Sequence, residues 1–190
     1  MILGICGSGR KEGNTIALVE EVLKGAGGHT EMVWLIDIGI GYCDGCMRCV
    51  MEGNCWQKDG MTALYQKMLN CEAMVIGSPC YYGDVSGLIK SMMDRSIALG
   101  HMGVGEESDL PGHGRKPLAG KPAVVVSAVA GHGVEGALGT MERFVNFGKM
   151  NLIGKLGAAA GMSDVREKKE IMDEARGLGA KIREALRAGK

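Results

Sequence analysis

Aromatic side chains are scarce: two Trp, four Tyr and two Phe among 190 residues. Neither sign of charge is in excess, because 22 Lys and Arg balance 22 Asp and Glu. Without a cationic surplus the chain has no electrostatic grip on a nucleic-acid backbone or an anionic membrane surface, so neither is expected as a partner. No apolar run approaches the length of a membrane span, and the start, MILGICGSGR, lacks the charged-then-apolar layout of a leader. A cytoplasmic setting that keeps thiols reduced is expected. Two nucleotide motifs are also missing. The glycine-rich turn after the first apolar run does not end in Gly-Lys-Ser/Thr, and Glu12 stands where a dinucleotide fingerprint needs glycine.

What is abundant is glycine, at 32, and cysteine, at seven. Four cysteines fall in one run, Cys43, Cys46, Cys49 and Cys55, spaced C-x2-C-x2-C-x5-C. Three sulfurs three residues apart can surround one corner of a compact inorganic core, and a fourth can close it, which is how cubane iron-sulfur clusters are held. Zinc is the first alternative, although structural zinc prefers two C-x2-C pairs with a longer spacer. Redox-active or structural thiols are the next. Disulfides fit least, given the odd count and nothing else that looks secreted. Cys6 and Cys71 adjoin apolar segments and read as small buried hydrophobes.

The length is that of one domain with a full core, so 1–190 is read as a single unit. Short apolar runs alternate with segments of helical period, the pattern of a parallel sheet covered by helices. Strands are predicted at Ile2 to Cys6, Glu31 to Asp37, Ala73 to Gly77, Ala123 to Ala128 and Leu152 to Ala160. Helices are predicted near Asn14 to Lys24, Asp59 to Asn70, Ser86 to Ala98 and Glu135 to Lys149. A last helix is expected after Ser163 as N-cap, with Glu167 in its first turns. Its packing face is Ile171, Ala175, Leu178, Ile182 and Leu186. The cysteine loop spans about 39–58, and a long loop at about 100–122 reads as a lid or interface arm.

Open sheets of this kind bind ligands at the carboxyl ends of their strands, and three loops fall there. The first, Gly7 to Thr15, brings glycines, hydroxyls, an amide and two cations to a helix N-terminus, a cradle for the phosphate of a small cofactor. An ordinary glycine turn capped by Asn14 is the plain alternative. The second, Gly77 to Gly87, places Tyr81 and Tyr82 where their faces could meet a planar ring, or could simply fill a corner. The third, Ala128 to Glu135, would let backbone amides approach a ring edge; His132 within it ranks below the cysteines.

The loop S-x-R-x-x-G-N-T at Ser8 to Thr15, G-S-P-x-Y-Y-G at Gly77 to Gly83, S-G-L-I-K-S-M-M-D-R at Ser86 to Arg95 and the cysteine run together resemble the iron-sulfur flavoproteins, within the flavodoxin-like NAD(P)H-dependent FMN reductases. The likeness spans roughly Met1 to Glu135. It implies an α/β flavodoxin-like fold with a five-stranded parallel sheet of order 2-1-3-4-5, FMN, a 4Fe-4S cluster, and a homodimer or homotetramer. By the same resemblance Ser8, Arg10, Asn14 and Thr15 hold the FMN phosphate. Pro79, Cys80, Tyr81, Tyr82 and Gly83 line the isoalloxazine, with Gly131 near its other edge, and Cys43, Cys46, Cys49 and Cys55 ligate the cluster. Gly9 and Cys80 depart from many relatives. Arg48 and Lys58 are close enough in sequence to offset the cluster's negative charge.

A cluster moves single electrons and FMN one or two. The reading is thus an electron-transfer oxidoreductase taking electrons from ferredoxin or a similar donor to a small acceptor, with NAD(P)H as another donor. Its rivals are a cluster-free FMN or quinone reductase and a zinc-stabilised non-enzymatic module.

Overall fold

A computed structural model describes residues 1–102 and 116–189. Five parallel strands form its centre: β1 (Ile2–Cys6), β2 (Thr30–Trp34), β3 (Ala73–Tyr81), β5 (Pro122–Val129) and β6 (Asn151–Ala159). Their order is β2-β1-β3-β5-β6, with the two-residue strand β4 (Asp84–Val85) folded back antiparallel on the end of β3. Counting the parallel strands alone, this is the order 2-1-3-4-5 expected from the resemblance. β1 and β3 are buried along their whole apolar length, as a strand covered on both faces must be.

The helices are α1 (Asn14–Ala26), α2 (Arg48–Glu52), α3 (Gly60–Asn70), α4 (Gly87–Arg95), α5 (Val134–Phe147) and α6 (Lys169–Ala188). One core lies on the side of α3, α4 and α5, around Leu3, Ile5, Met74, Ile76, Met92 and Met141. The other lies on the side of α1 and α6, around Val19, Val22, Val75, Val124 and Ile182. On α6 the anticipated stripe is the packing face: Ala175, Leu178 and Ile182 are buried, and Ile171 and Leu186 pack at its margins. Each large side chain so buried contributes roughly 1.5–3 kcal/mol. α1 and α6 cross at backbone distance, because a Cβ on Gly25 would fall 2.0 Å from the Arg176 carbonyl oxygen and one on Gly179 2.0 Å from that of Val22.

Besides β2, which ends at Trp34 and not at Asp37, three boundaries differ from expectation. β3 does not stop at Gly77 but runs on through Pro79 and Cys80 to Tyr81, and Tyr82 and Gly83, at φ 51° and 76°, turn it into β4. The second loop is therefore mostly sheet. Helix α4 ends at Arg95 and gives way to a 3-10 turn over Ser96–Gly100. Ser163 caps nothing: Asp164 accepts from the Arg166 N–H and opens a 3-10 turn at Val165–Glu167, so α6 begins only at Lys169. A carboxylate is the better acceptor for free N–H groups at a helix start. Most of the long loop expected at 100–122 lies outside the described residues.

Candidate functional site

At the carboxyl edge, β1 ends in Gly7, whose N–H donates to the Gly77 carbonyl at 2.9 Å and whose carbonyl accepts the Ser86 hydroxyl at 2.8 Å. Ser86 also caps α4 and donates its own N–H to Ser78 Oγ at 2.9 Å. The ends of β1 and β3 and the start of α4 are thus one knot. The Ser8 hydroxyl is buried and closes a tight turn, donating to the Arg10 carbonyl and accepting the Arg10 N–H, both at 3.1 Å. Gly13 precedes α1 in extended conformation, and no side chain caps the helix. The N–H groups of its first turn are left for an anion. Arg10 is exposed, whereas Lys11 is paired with Asp37 at 2.7 Å and lies over the Trp34 ring. Thr15 is buried in the first turn.

Asn14 is employed differently from the expectation of a side-chain phosphate ligand. Its amide nitrogen donates to the Ser163 carbonyl at 3.1 Å and its oxygen accepts the Val165 N–H at 2.9 Å. The side chain ties the loop to the segment before α6, which leaves the Asn14 backbone N–H for a phosphate.

Across this edge, Pro79 is buried, Cys80 is half-buried with its thiol donating to the Gly133 carbonyl at 3.3 Å, and Tyr81 and Tyr82 are exposed. The hairpin leans on α5: a Cβ on Gly136 would stand 1.8 Å from the Gly83 carbonyl oxygen. A Thr140 hydrogen bond, with the nearby Arg143 and Lys90 charges, holds the Asp84 carboxyl below its usual range. A Cβ added at Gly9, Gly83, Gly87 or Gly131 would meet nothing within 4 Å, so the edge has room between its three loops. An uncapped helix start, a cation without an ion pair among the described residues and two exposed phenol rings fit a phosphorylated planar cofactor. His132 is exposed beside this edge.

The second region lies at the opposite end of α4. A cleft of about 890 Å³ is bounded by all four run cysteines together with Met93, Arg95, Leu99, Leu118, Phe144 and Phe147. Its walls are mainly apolar, and none of the cysteines is in a disulfide. Cys43 and Cys46 are exposed; Cys49 and Cys55 are half-buried. Burial, and then the neighbouring Cys55, Cys43 and Cys46 thiolates, push the Cys49 thiol up. Four cysteine sulfurs are a donor set that fits a cationic iron-sulfur core, which would hold them as thiolates. No ready-made metal cage exists among the described residues, so binding would draw the sulfurs together. Asp44 organises the exposed turn: it accepts the Cys46 N–H at 3.2 Å and the Trp56 indole N–H at 3.1 Å. The Cys46 thiol, then its amide, hold the Asp44 carboxyl below its ordinary value. Cys6, by contrast, is sealed in the sheet, where burial raises its thiol to about 11, and Cys71 donates to the Met68 carbonyl.

A clasp absent from the sequence reading closes the neck of the loop. Asp59 caps α3, accepting the Met61 N–H at 3.0 Å, and also takes the Gly41 N–H at 2.9 Å and Arg95 Nη1 at 2.8 Å. Arg95, 1% exposed, further donates to the Gly41 carbonyl and the Gln57 side chain. Burial would raise the Asp59 pKa, but Arg95 and these two amides hold it below the usual carboxylate range. Burial likewise works against the Arg95 charge; the Asp59 bond, then Tyr65 and Cys55, more than offset it. Arg48 and Lys58 are occupied locally, Arg48 over the Trp56 ring and Lys58 on Asn54 Oδ1 and the Cys55 carbonyl. The signal for the clasp was an arginine closing a helix and an aspartate opening one, 36 residues apart.

The model of a family described as NADPH-dependent FMN reductase matches residues 1–165. An iron-sulfur flavoprotein of Methanocaldococcus jannaschii is 30% identical over 98% of this chain and 97% of its own length. An iron-sulfur flavoprotein of Archaeoglobus fulgidus is 41% identical over 50% of this chain and 48% of its own. Among solved structures, a flavone reductase superposes with a TM-score of 0.75 at 21% identity, covering 98% of this chain and 62% of that one. An archaeal flavodoxin superposes at 0.60 with 13% identity, covering 98% and 99%. These two likenesses show the flavodoxin-like fold.

Proposed function

The chain belongs to the NADPH-dependent FMN reductase family, among its iron-sulfur flavoproteins, and we propose that it carries a 4Fe-4S cluster beside FMN and takes electrons from ferredoxin or a similar one-electron donor to a small acceptor. It is a flavin-dependent oxidoreductase. The observation that carries the proposal is the convergence of Cys43, Cys46, Cys49 and Cys55 on one apolar-walled cleft with no disulfide among them. When bound, the cluster supplies one-electron steps, and FMN one- or two-electron steps.

In this reading Ser8 shapes the phosphate turn, Arg10 and the first N–H groups of α1 neutralise the phosphate, and Thr15 closes the cradle from beneath. Pro79, Cys80, Tyr81, Tyr82, Gly83 and Gly131 line the flavin ring. The Cys80 thiol, spent on the Gly133 carbonyl, orients the loop before α5 instead of acting as a nucleophile. Apolar walls limit water at the half-buried Cys49 and Cys55 while Cys43 and Cys46 stay exposed, and solvent exposure is a determinant of cluster potential. Met47, Trp56 and Phe147 are exposed along that cleft, and Tyr42 and Met51 are exposed on the same loop. An apolar surface of this kind supports assembly with further copies of the chain, as a homodimer or homotetramer. No described helix is long and apolar enough to cross a membrane.

The family description favours a second reading, a cluster-free reductase fed directly by NADPH. Purification without oxygen, followed by measurement of iron, acid-labile sulfide, zinc and FMN per chain, separates the two. The proposal expects about four irons, four sulfides and one FMN. FMN without iron, together with rapid NADPH oxidation, would establish the second reading instead.

A further inference from the structure

Arg95 has two terminal nitrogens and one internal one, and they are treated differently. Nη1 donates to the Gly41 carbonyl, Gln57 Oε1 and Asp59 Oδ2 at 3.1, 2.8 and 2.8 Å; Nη2 donates to Asp59 Oδ1 at 3.2 Å and the Gln57 carbonyl at 3.4 Å. Nε is buried with no hydrogen-bond partner among the described residues. An orphaned buried donor costs about 1–3 kcal/mol, and more on a charged group, so a fold retains one only where something compensates. Arg95 and Cys55 border the same cleft, and Tyr65, whose hydroxyl donates to the Arg95 carbonyl at 2.8 Å, is packed beneath them.

We propose that Arg95 is a positioning residue for the iron-sulfur centre: its terminal nitrogens lock both ends of the cysteine loop, and its Nε–H is the donor reserved for sulfur at the Cys55 corner. The inference rests on the cluster reading above. Hydrogen bonds to cluster sulfurs and their ligands raise the reduction potential, and partners behind the ligands set how firmly metal is held. One guanidinium would thereby do both. Lysine in its place keeps the charge but loses the planar fork, so it cannot hold Asp59, Gln57 and sulfur at once.

The test uses the intact chain, reconstituted anaerobically with ferrous iron, sulfide and FMN, as wild type, Arg95→Lys, Arg95→Gln and Gln57→Ala. Both Arg95 variants should bind FMN like wild type and lose iron to a chelator about ten- to a hundred-fold more readily. Their residual cluster should have a lower midpoint potential. Gln57→Ala loosens the neck but spares Nε, so its potential should match wild type. Wild-type potential in the Arg95 variants, or an equal drop in Gln57→Ala, overturns the proposal. If Arg95→Gln fails to fold, Arg95→Lys, which keeps an ion pair with Asp59, decides by the same readings. Wild type that takes up no iron overturns the cluster reading itself, an outcome distinct from the variants behaving like a loaded wild type.

Discussion

The two regions at opposite ends of α4 each contain a non-glycine residue in left-handed backbone conformation, Tyr82 at φ 51° and Met47 at φ 59°, and the surroundings of the two differ. Tyr82 sits in a tight turn with Gly83, paired by β4 to β3 and backed by α5 at Gly136. Met47 lies between two cysteines in the exposed stretch 42–48, followed by the five-residue helix α2, none of which is buried. Such strain, of order 1 kcal/mol, persists only where neighbours over-determine it. The edge proposed for the flavin is therefore built by the sheet itself, whereas the cysteine loop is tethered at its neck and, in the proposed reading, is completed by the cluster.

The sharpest way to break that comparison is Cys46→Ser. It should abolish cluster absorbance and bring iron close to zero while FMN stays bound; loss of both, read from the visible spectrum, would mean that the flavin edge depends on the loop. Arg10→Ala addresses the opposite end. Loss of one charge-assisted contact to phosphate, about 1.5–3 kcal/mol, should weaken FMN binding by one to two orders of magnitude in fluorescence titration, with iron content unchanged. Next is Gly136→Ala, whose Cβ must displace the Gly83 carbonyl. A stability loss of about 1–3 kcal/mol in urea unfolding is expected, and a neutral result would show that the hairpin does not need α5.

Acid should act on the loop before the edge. Asp59 is 19% exposed and its folded carboxyl lies below its unfolded value, so its contribution is present above the unfolded pKa, roughly 3.9, and is lost as pH falls through the folded one. In the apo chain, Cys55 should react more readily below about pH 4 than at neutral pH with a disulfide reagent that works in acid, each rate taken relative to a free thiol at the same pH and read by mass spectrometry. Asp59→Asn should flatten this difference. Smallest is Tyr82→Asn, which suits the left-handed turn better and should stabilise the chain by no more than about 1 kcal/mol in the same urea assay.

Much of the framework was legible from local pattern. Apolar runs gave the central strands, the stripe on α6 gave its packing face, and the spacing of the cysteines marked the loop whose residues meet in the cleft. What escaped was set by partners distant in sequence. Pro79 and the Tyr-Tyr-Gly stretch read as loop, because proline lacks the N–H a central strand uses, yet β3 carries Pro79 opposite Ala128 in register. Nothing local announces that the Asn14 side-chain amide is held by Ser163 and Val165. Arg95 stood out only as the last residue of the Ser86 to Arg95 motif. Its role depends on Asp59 and Gly41 arriving from another part of the chain.

Helix α4 runs from the Ser86 cap at one region to Arg95 at the other, about 14 Å of rise. Its length is consequently a phase as well as a distance. Inserting one residue would advance Arg95 by about 1.5 Å and rotate it by about 100°, swinging the guanidinium off Asp59 while Ser86 still gripped Gly7. Surface loops of this domain can grow and shrink through descent, but α4 cannot change by a single residue without uncoupling the two ends. An alignment of descendants should show gaps everywhere before it shows one there.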